Sequence, residues 1–560
     1  MAKYKPWLVG CFILAGLISA VALVCLCIVS LVDRECPGGS FTHAAVAADS
    51  LRCSEVGRSM LQQGGSAVDG AIAALLCTSV VNPQSMGIGG GSILTIRNKK
   101  GKVEVYNFRE TVPQSFKSNL LNDCKSTFGL TTGSQWIGVP GELRGYEAVH
   151  KQYGKLPWAK LFEPTIKLAG EGIPLPVSLS VFSLYTSGVI SSNMLFYVNT
   201  FYSEVLCNKN KTVLSTGDIL KFPKLAETMK TIAEQGADAF YTGKIGQDLI
   251  RDVEAAGGTL KREDLKSFQV RVEDAWTVPV GDTKMHFPPP PAGGPLLAFL
   301  LSLMKGFCSL DGDQKIQTYH HFIEAAKFTN GQKKSITDPL FNDKKSADHL
   351  IDPSFINQIR DMIFSNRTHD NSYYNNAKPS RDHVGTTHVS VLDQDGLAVS
   401  ATSTINQLFG GGIYSPRTGI ILNNELSDFC GRADTVRAGE RPPSSMIPVI
   451  LESKSGGLLV IGGSGGSMIT SAVALSIVNR LWLGMNLKDA IAAPIVFVDS
   501  SNNVNFEPGF NKSVIDGIRA LGHKPGSWKY FFNVVNAVEK ENGCIAAVSD
   551  SRKNGMSAGY

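Results

Sequence analysis

Four consecutive residues, Gly385-Thr386-Thr387-His388, have the make-up of a nucleophile that activates itself. A threonine hydroxyl is a weak nucleophile unless a base stands beside it, and a threonine at a chain N-terminus carries its own base, the α-amine. That amine has a reference pKa of about 7.7–8.0, so a useful fraction is neutral near physiological pH. Gly385 leaves the preceding peptide bond unhindered, which suits autocleavage between Gly385 and Thr386. Spacing alone also fits a plainer role for Thr386, that of a threonine opening a β-strand.

Two glycine clusters could bind an anion. Neither Gly87-Ile-Gly89-Gly90-Gly91 nor Gly462-Gly463-Ser464-Gly465-Gly466 has the dinucleotide spacing, and no phosphate-binding Gly-Lys-Ser occurs. Tight turns are the default for both. Gly465 and Gly466 also precede an apolar helical stretch from about Ile469, and amides at a helix start can stabilise an oxyanion. No metal is expected. His320 and His321 are adjacent and point apart on a helix, and neither His-Glu-x-x-His nor paired Cys-x-x-Cys occurs.

Elements must bring these residues together. Residues 365–383 form the most polar, loop-like stretch, a natural place for a chain break. Residues 387–392 then alternate polar and apolar, Asp395-Gly396 gives a turn, and 397–405 is β-rich, which predicts a hairpin. Counting back from the turn sets Thr386 opposite residues 403–405, with Thr404 beside it. Strands are also expected at 419–422 and 458–461, the second running into the Gly462–Gly466 cluster. Ser66-Ala-Val-Asp69 reads as a capping box, and 67–80 is apolar all round, so a buried helix is expected. Cys53 lies on an amphipathic segment before that helix and Cys77 within it. A helix-to-helix disulfide Cys53–Cys77 is the favoured pairing, although spacing does not fix connectivity. Pro288 to Gly294 reads as a shaped loop.

The 560 residues, 43% hydrophobic and 18% charged with net charge +5, describe an ordinary globular chain. No basic stripe with interleaved aromatics occurs, so nucleic acid is not an expected partner. Residues 7–32 carry no charge and are long enough to span a bilayer. Lys3 and Lys5 precede them, which favours a cytoplasmic N-terminus, and no small-residue cleavage site follows a short apolar core. A retained type II anchor in the plasma membrane is expected, with the rest of the chain extracellular. Asn210, Asn366 and Asn511 head N-glycosylation sequons consistent with that. Cys11, Cys25 and Cys27 lie in the span; the other cysteines face an oxidising compartment where disulfides form.

The chain resembles the γ-glutamyltransferases from Ala44-Ala-Val-Ala-Ala-Asp49 to Ser549-Asp-Ser-Arg-Lys553 and Ala558-Gly-Tyr560. Long matching blocks are Ser85-Met-Gly-Ile-Gly-Gly-Gly91, Val139-Pro-Gly-Glu-Leu-Arg-Gly-Tyr146, Ser400-Ala-Thr-Ser-Thr-Ile-Asn406 and Asn423-Asn-Glu-Leu-Ser-Asp428. Within that family it is most similar to the γ-glutamyl leukotrienase (leukotriene C4 hydrolase) branch. Val80-Val-Asn-Pro-Gln-Ser85, Trp136-Ile-Gly-Val, Pro288-Pro-Pro-Pro-Ala-Gly-Gly294 and Tyr414-Ser-Pro-Arg-Thr-Gly-Ile-Ile421 carry the finer match.

The resemblance implies an α+β fold, the αββα sandwich of N-terminal-nucleophile hydrolases, here preceded by one transmembrane helix. It implies a cytoplasmic tail at 1–6, the anchor at 7–32, and a precursor cut into a large chain, 33–385, and a small chain, 386–560. The two products would form one catalytic heterodimer. Thr386 would serve as nucleophile in self-cleavage and turnover, oriented by Thr404, with Gly465 and Gly466 as the oxyanion hole. Arg109, Ser444 and Ser445 would hold the substrate α-carboxylate, a task suited to a bidentate guanidinium. Glu425, Asp428 and Asn406 would bind the α-amine. Substrates would be glutathione and its S-conjugates, and acceptors water, amino acids or dipeptides, with no metal or organic cofactor. Two departures stand out. Gly410-Gly-Gly412 replaces a bulkier loop, which bears on acceptor access, and Thr387 stands where other members have alanine or serine. The rivals are an N-terminal-nucleophile amidase with another acyl substrate and an uncleaved, inactive surface glycoprotein. Arg109 with Glu425 and Asp428 argues against the first, and intact Thr386, Thr404 and glycine pair against the second.

Overall fold

Burial alternates along the strand that follows Thr386, and that alternation sets the architecture. In Thr387–Leu392, Val389 and Val391 join the core around helix Ala67–Val81, whereas Ser390 reaches the other way and donates to Asn536 O at 3.1 Å in a second sheet. A strand buried on both faces needs a layer on each. The computed structural model describes residues 36–124, 131–175, 205–208, 210, 212, 214–308, 312–342, 347–376, 385–432, 435–528 and 534–560. The expected anchor and the end of the polar stretch, 377–383, lie outside them. Among the described residues no helix is long and apolar enough to cross a membrane.

The first sheet runs in the order Ala558–Gly559, Ala45–Ala47, Thr387–Leu392, Ala398–Thr404, Gly91–Arg97, Val103–Asn107, Arg271–Asp274. The second runs Cys544–Val548, Val534–Glu541, Leu458–Ser464, Val449–Ser453, Thr283–Phe287, Trp276–Val280. All neighbours in both pair antiparallel. Helices Leu51–Gln62 and Ala67–Val81 cover the outer face of the first sheet, and Gly294–Met304 and Ile469–Leu481 that of the second. The result is four layers, helix, sheet, sheet, helix.

Every residue of Ala67–Val81 is buried, which is why it reads as apolar on all sides. Its capping box is present: Asp69 N donates to Ser66 Oγ at 3.2 Å and Ser66 N to Asp69 Oδ2 at 2.8 Å. Disulfides join Cys53–Cys77, Cys36–Cys544 and Cys124–Cys430. Cys207 and Cys308 remain thiols.

The layer between the sheets is thin and partly polar. Ala45, Ala47 and Ala398 of the first sheet meet Ile450, Val460 and Val538 of the second there. Hydrogen bonds then cross the gap, from Thr95 Oγ1 to Pro448 O at 2.7 Å, Ser400 Oγ to Ile461 O at 3.0 Å and Asn536 Nδ2 to His388 O at 2.7 Å. Buried polar groups need such partners. One expectation changes here. Gly462 and Gly463 are not turn residues but lie inside strand Leu458–Ser464. A Cβ on Gly462 would sit 2.3 Å from His388 Cε1, so the glycine makes room for the facing imidazole.

Candidate active site

The hairpin Thr387–Leu392 and Ala398–Thr404 pairs Ser403 with Thr387, which brings Thr404 beside Thr386. Thr386 Oγ1 donates to Thr404 Oγ1 at 3.2 Å. Thr404 Oγ1 also accepts from Asn406 N at 2.8 Å and donates to Asn406 O at 3.4 Å. With its own proton engaged, Thr404 can only receive from Thr386. Thr404 thereby fixes the orientation of the Thr386 hydroxyl.

The peptide bond before Thr386 is unusual on both sides. Thr386 has φ +82°, a region nearly closed to β-branched residues. Such a conformation costs about 1–3 kcal/mol and persists only where the surroundings impose it. Gly385 has φ +149°, and a Cβ there would lie 1.9 Å from Asn406 O. The Gly385 carbonyl accepts the Gly465 N–H at 3.0 Å. Gly465, with φ +118°, ends the strand Leu458–Ser464 and starts the short turn Gly466–Met468 before helix Ile469–Leu481. An amide donor thus already sits on the carbonyl that Thr386 would attack, where charge would develop.

A cavity opens at Thr386. Arg109, Thr404, Asn406, Glu425, Asp428, Ser444, Ser445 and Gly466 line it with Thr386, so of the expected site residues only Gly465 and Gly385 lie just behind its wall. Arg109 follows strand Val103–Asn107 and is 1% exposed. Its Nη1 donates to Glu425, its Nη2 to Asp428 Oδ2 at 2.6 Å and Pro443 O at 2.7 Å, and its Nε to Pro442 O at 2.8 Å. Arg109 and the two acids, which suit opposite charges of one amino-acid headgroup, also contact each other directly, because a buried guanidinium requires such partners. Burial pushes the Glu425 carboxyl up to about 8 against the pull of Arg109, with Asp428 adding to the rise. Burial, then Glu425, raises neighbouring Glu110 well above the carboxylate range.

Two further buried residues, Lys553 and Asp49, hold Thr386 and Thr387 in place. The buried Lys553 ammonium donates to Asp49 Oδ2 at 2.8 Å, Thr386 O at 2.9 Å and Ser464 Oγ at 2.9 Å. Asp49 Oδ2 also accepts from Thr387 Oγ1 at 2.6 Å, so the second threonine faces Asp49 and does not line the cavity. A buried lysine needs such an anion, but nothing in its local spacing announces one.

His388 shares a strand face with Thr386, as its position implies, but lies deep between the sheets. Its Nδ1 meets Thr402 Oγ1 at 2.8 Å and its Nε2 Ser390 Oγ at 3.0 Å, and burial pushes its pKa down to about 3. His320, Glu324 and His523 also lie close together in the manner of metal ligands. Hydrogen bonds occupy the ring nitrogens instead. His320 Nε2 meets Phe364 O at 2.6 Å, an acceptor only, so His320 Nδ1 accepts from His523 Nε2 at 2.8 Å. His523 Nδ1 then accepts from Lys327 Nζ at 2.9 Å. Neither ring has a lone pair left for a cation. Asn210, Asn366 and Asn511 are exposed, and Asn511 Oδ1 also caps helix Lys512–Ala520.

Residues 53–560 match a family model described as gamma-glutamyltranspeptidase. The "Glutathione hydrolase 5 proenzyme" of Rattus norvegicus is 45% identical over 571 residues, covering 98% of each chain. That of Homo sapiens is 45% identical over 586 residues, again covering 98% of each. Among solved structures, cephalosporin acylase from Bacillus halodurans superposes with TM-score 0.82 at 22% identity, covering 95% of this chain and 99% of that one, a likeness of fold.

Proposed function

The chain belongs to the γ-glutamyltranspeptidase family, and from that premise we propose that Thr386, released by self-cleavage, transfers the γ-glutamyl group of glutathione and its conjugates. The protein is an enzyme, a glutathione hydrolase with γ-glutamyl transfer activity. One observation carries the mechanism: a hydroxyl nucleophile shares a cavity with a buried cation and two acids. A free amino-acid headgroup offers the complementary charges. Its carboxylate would take Arg109 with Ser444 and Ser445, and its ammonium would take Glu425, Asp428 and Asn406. An α-linked glutamate has no free α-carboxylate and is refused.

In the precursor, Thr386 Oγ1 attacks the Gly385 carbonyl, and the Gly465 amide holds the oxyanion. Collapse of that adduct breaks the Gly385–Thr386 C–N bond, which frees the Thr386 amine and leaves Gly385 as an ester on Oγ1; hydrolysis of the ester then releases the Gly385 carboxylate and restores the Thr386 hydroxyl. In turnover that amine takes the hydroxyl proton, Oγ1 attacks the γ-carbonyl, and the amides of Gly465 and Gly466 stabilise the tetrahedral oxyanion. The proton passes to the departing amine, leaving a γ-glutamyl ester on Thr386. Water, an amino acid or a dipeptide then releases it. Leukotriene C4 is proposed among the conjugates, giving leukotriene D4, on the strength of the leukotrienase-like blocks. Residues 1–6, 7–32, 33–385 and 386–560 would be tail, plasma-membrane anchor, large chain and small chain, with glycans on Asn210, Asn366 and Asn511.

The test is a reducing gel and N-terminal sequencing, followed by kinetics with glutathione against leukotriene C4. The smaller chain should begin Thr-Thr-His-Val. A single uncut, inactive chain favours the inert glycoprotein, and a cut chain that spares both substrates favours an amidase for another acyl group.

The pH profile checks the base. General-base use of the Thr386 amine requires it neutral, so kcat/KM should rise between about pH 6.5 and 8.5. Glu425, whose carboxyl is raised to about 8 by burial, must lose its proton to bind an ammonium and adds to that limb. The amine's share persists in kcat, where Glu425 is already paired with substrate. A group titrating near 3 cannot supply either limb, so His388→Asn in cut enzyme should retain both. Loss of the kcat limb with activity surviving would transfer the base to His388.

A further inference from the structure

Among the described residues, two of three disulfides cross the Gly385–Thr386 bond, and one of them ends beside the cavity at Thr386. Cys430 directly follows the short helical turn Glu425–Phe429, which carries Glu425 and Asp428. Its partner Cys124 closes another short turn, Leu120–Asp123, with the two Cα atoms 5.7 Å apart. The apolar side of the first turn, Leu426 and Phe429, packs with Trp136 and Leu120. The chain entering the turn is held by Asn423, whose Nδ2 donates to Gly89 O at 2.8 Å and Gly138 O at 3.0 Å. The chain leaving it is held by the disulfide. All these anchors precede residue 385, whereas the turn itself follows it.

A single helical turn is too short to keep its own shape, so its two carboxylates are placed by its tethers together with Arg109, which contacts both. We infer that the Cys124–Cys430 bond is a positioning element for the α-amine subsite, and that the mature enzyme is a pair of chains joined covalently. This rests on the proposed cleavage and on the proposed role of Glu425 and Asp428. Asp428 lies two residues from the disulfide, so it moves furthest when that end is released. A displacement of about 1 Å in such a group is felt strongly. The headgroup contact exists in the Michaelis complex and the transition state alike, so its loss appears in KM, not kcat. Both bonds suit the oxidising compartment expected for this part of the chain.

The full-length protein, purified in detergent, should run as one band without reductant and as two with it. Two bands without reductant overturn the covalent pairing and leave the proposed function standing. One band in both lanes means no cleavage, which overturns the proposed function itself and the mature pair with it. In the double variant Cys124→Ser/Cys430→Ser the chains should stay joined through Cys36–Cys544 and be cut as before. KM for glutathione should rise roughly tenfold or more with kcat within about threefold. The preference for glutathione over its analogue lacking the α-amine should narrow by a similar factor. A fall in kcat at unchanged KM, the mark of fewer active molecules, overturns the positioning role. If the double variant does not fold, wild-type enzyme is partly reduced with dithiothreitol, alkylated and mapped by mass. KM should then rise in step with labelling of Cys124 and Cys430, and a constant KM overturns the inference.

Discussion

Thr386→Ala should leave the protein as one uncut polypeptide under reducing conditions and lower turnover by roughly three orders of magnitude or more. The size of the effect follows from the double use of one atom. Oγ1 is the proposed attacking group on the Gly385 carbonyl and again on the substrate, and alanine removes it from both steps. Folding should survive. Thr386 Oγ1 makes one side-chain hydrogen bond, to Thr404 at 3.2 Å, and losing a bond of that kind costs about 0.5–1.5 kcal/mol. Thr387 cannot substitute, because its hydroxyl is committed to Asp49 Oδ2 at 2.6 Å. Thr387→Ala should therefore still be cut at the same bond. Cleavage persisting in Thr386→Ala, or lost only in Thr387→Ala, would move the nucleophile.

Arg109→Gln should lower kcat/KM by roughly 30-fold or more while cleavage proceeds normally. Losing one partner of a desolvated charge pair typically costs about 2–5 kcal/mol. Here the lost cation faces two acids as well as the incoming carboxylate. Without it, burial and the neighbouring Asp428 hold the proton on Glu425 more firmly. The variant therefore loses the α-carboxylate contact and weakens the α-amine contact together. Arg109 touches neither Gly385 nor Gly465, so the self-cleavage step is spared. Steady-state kinetics on cut protein provide the check, with glutathione compared against its analogue lacking the α-carboxylate. Unchanged discrimination between the two removes Arg109 from the subsite.

Local pattern made the nucleophile's surroundings legible before any coordinates. Strand alternation and one Asp-Gly turn set the hairpin register, and the register set Thr404 beside Thr386. The capping box at Ser66 and the apolar run after it gave the buried helix, and with it the neighbours Cys53 and Cys77. What escaped was everything that depends on a distant surface. Gly462 looks like a turn residue until His388 arrives from the other sheet. His388 looks accessible until that same sheet covers it. Lys553 gives no sign of a buried role because its anion, Asp49, lies 504 residues away in sequence. Cys36–Cys544 and Cys124–Cys430 span separations of 508 and 306, for which spacing offers no rule. The pairing of Arg109 with Glu425 and Asp428 was hidden likewise, by separations of 316 and 319 residues.

The short strand Ala45–Ala47 sits between Thr387–Leu392 on one side and Ala558–Gly559 on the other. A piece from before the scissile bond is thus woven between two from after it. The ordering in time follows. The sheet has to close while the chain is continuous, because only then is threading the strand a unimolecular event whose loop entropy grows slowly with length. Once the bond is cut, an unfolded molecule stripped of its disulfides would have to reassemble by collision, at a rate that falls with dilution. On the proposed cleavage, the active enzyme would be a product its own halves do not readily regenerate. Its lifetime is then set by the barrier to unfolding and not by an equilibrium with the unfolded chain.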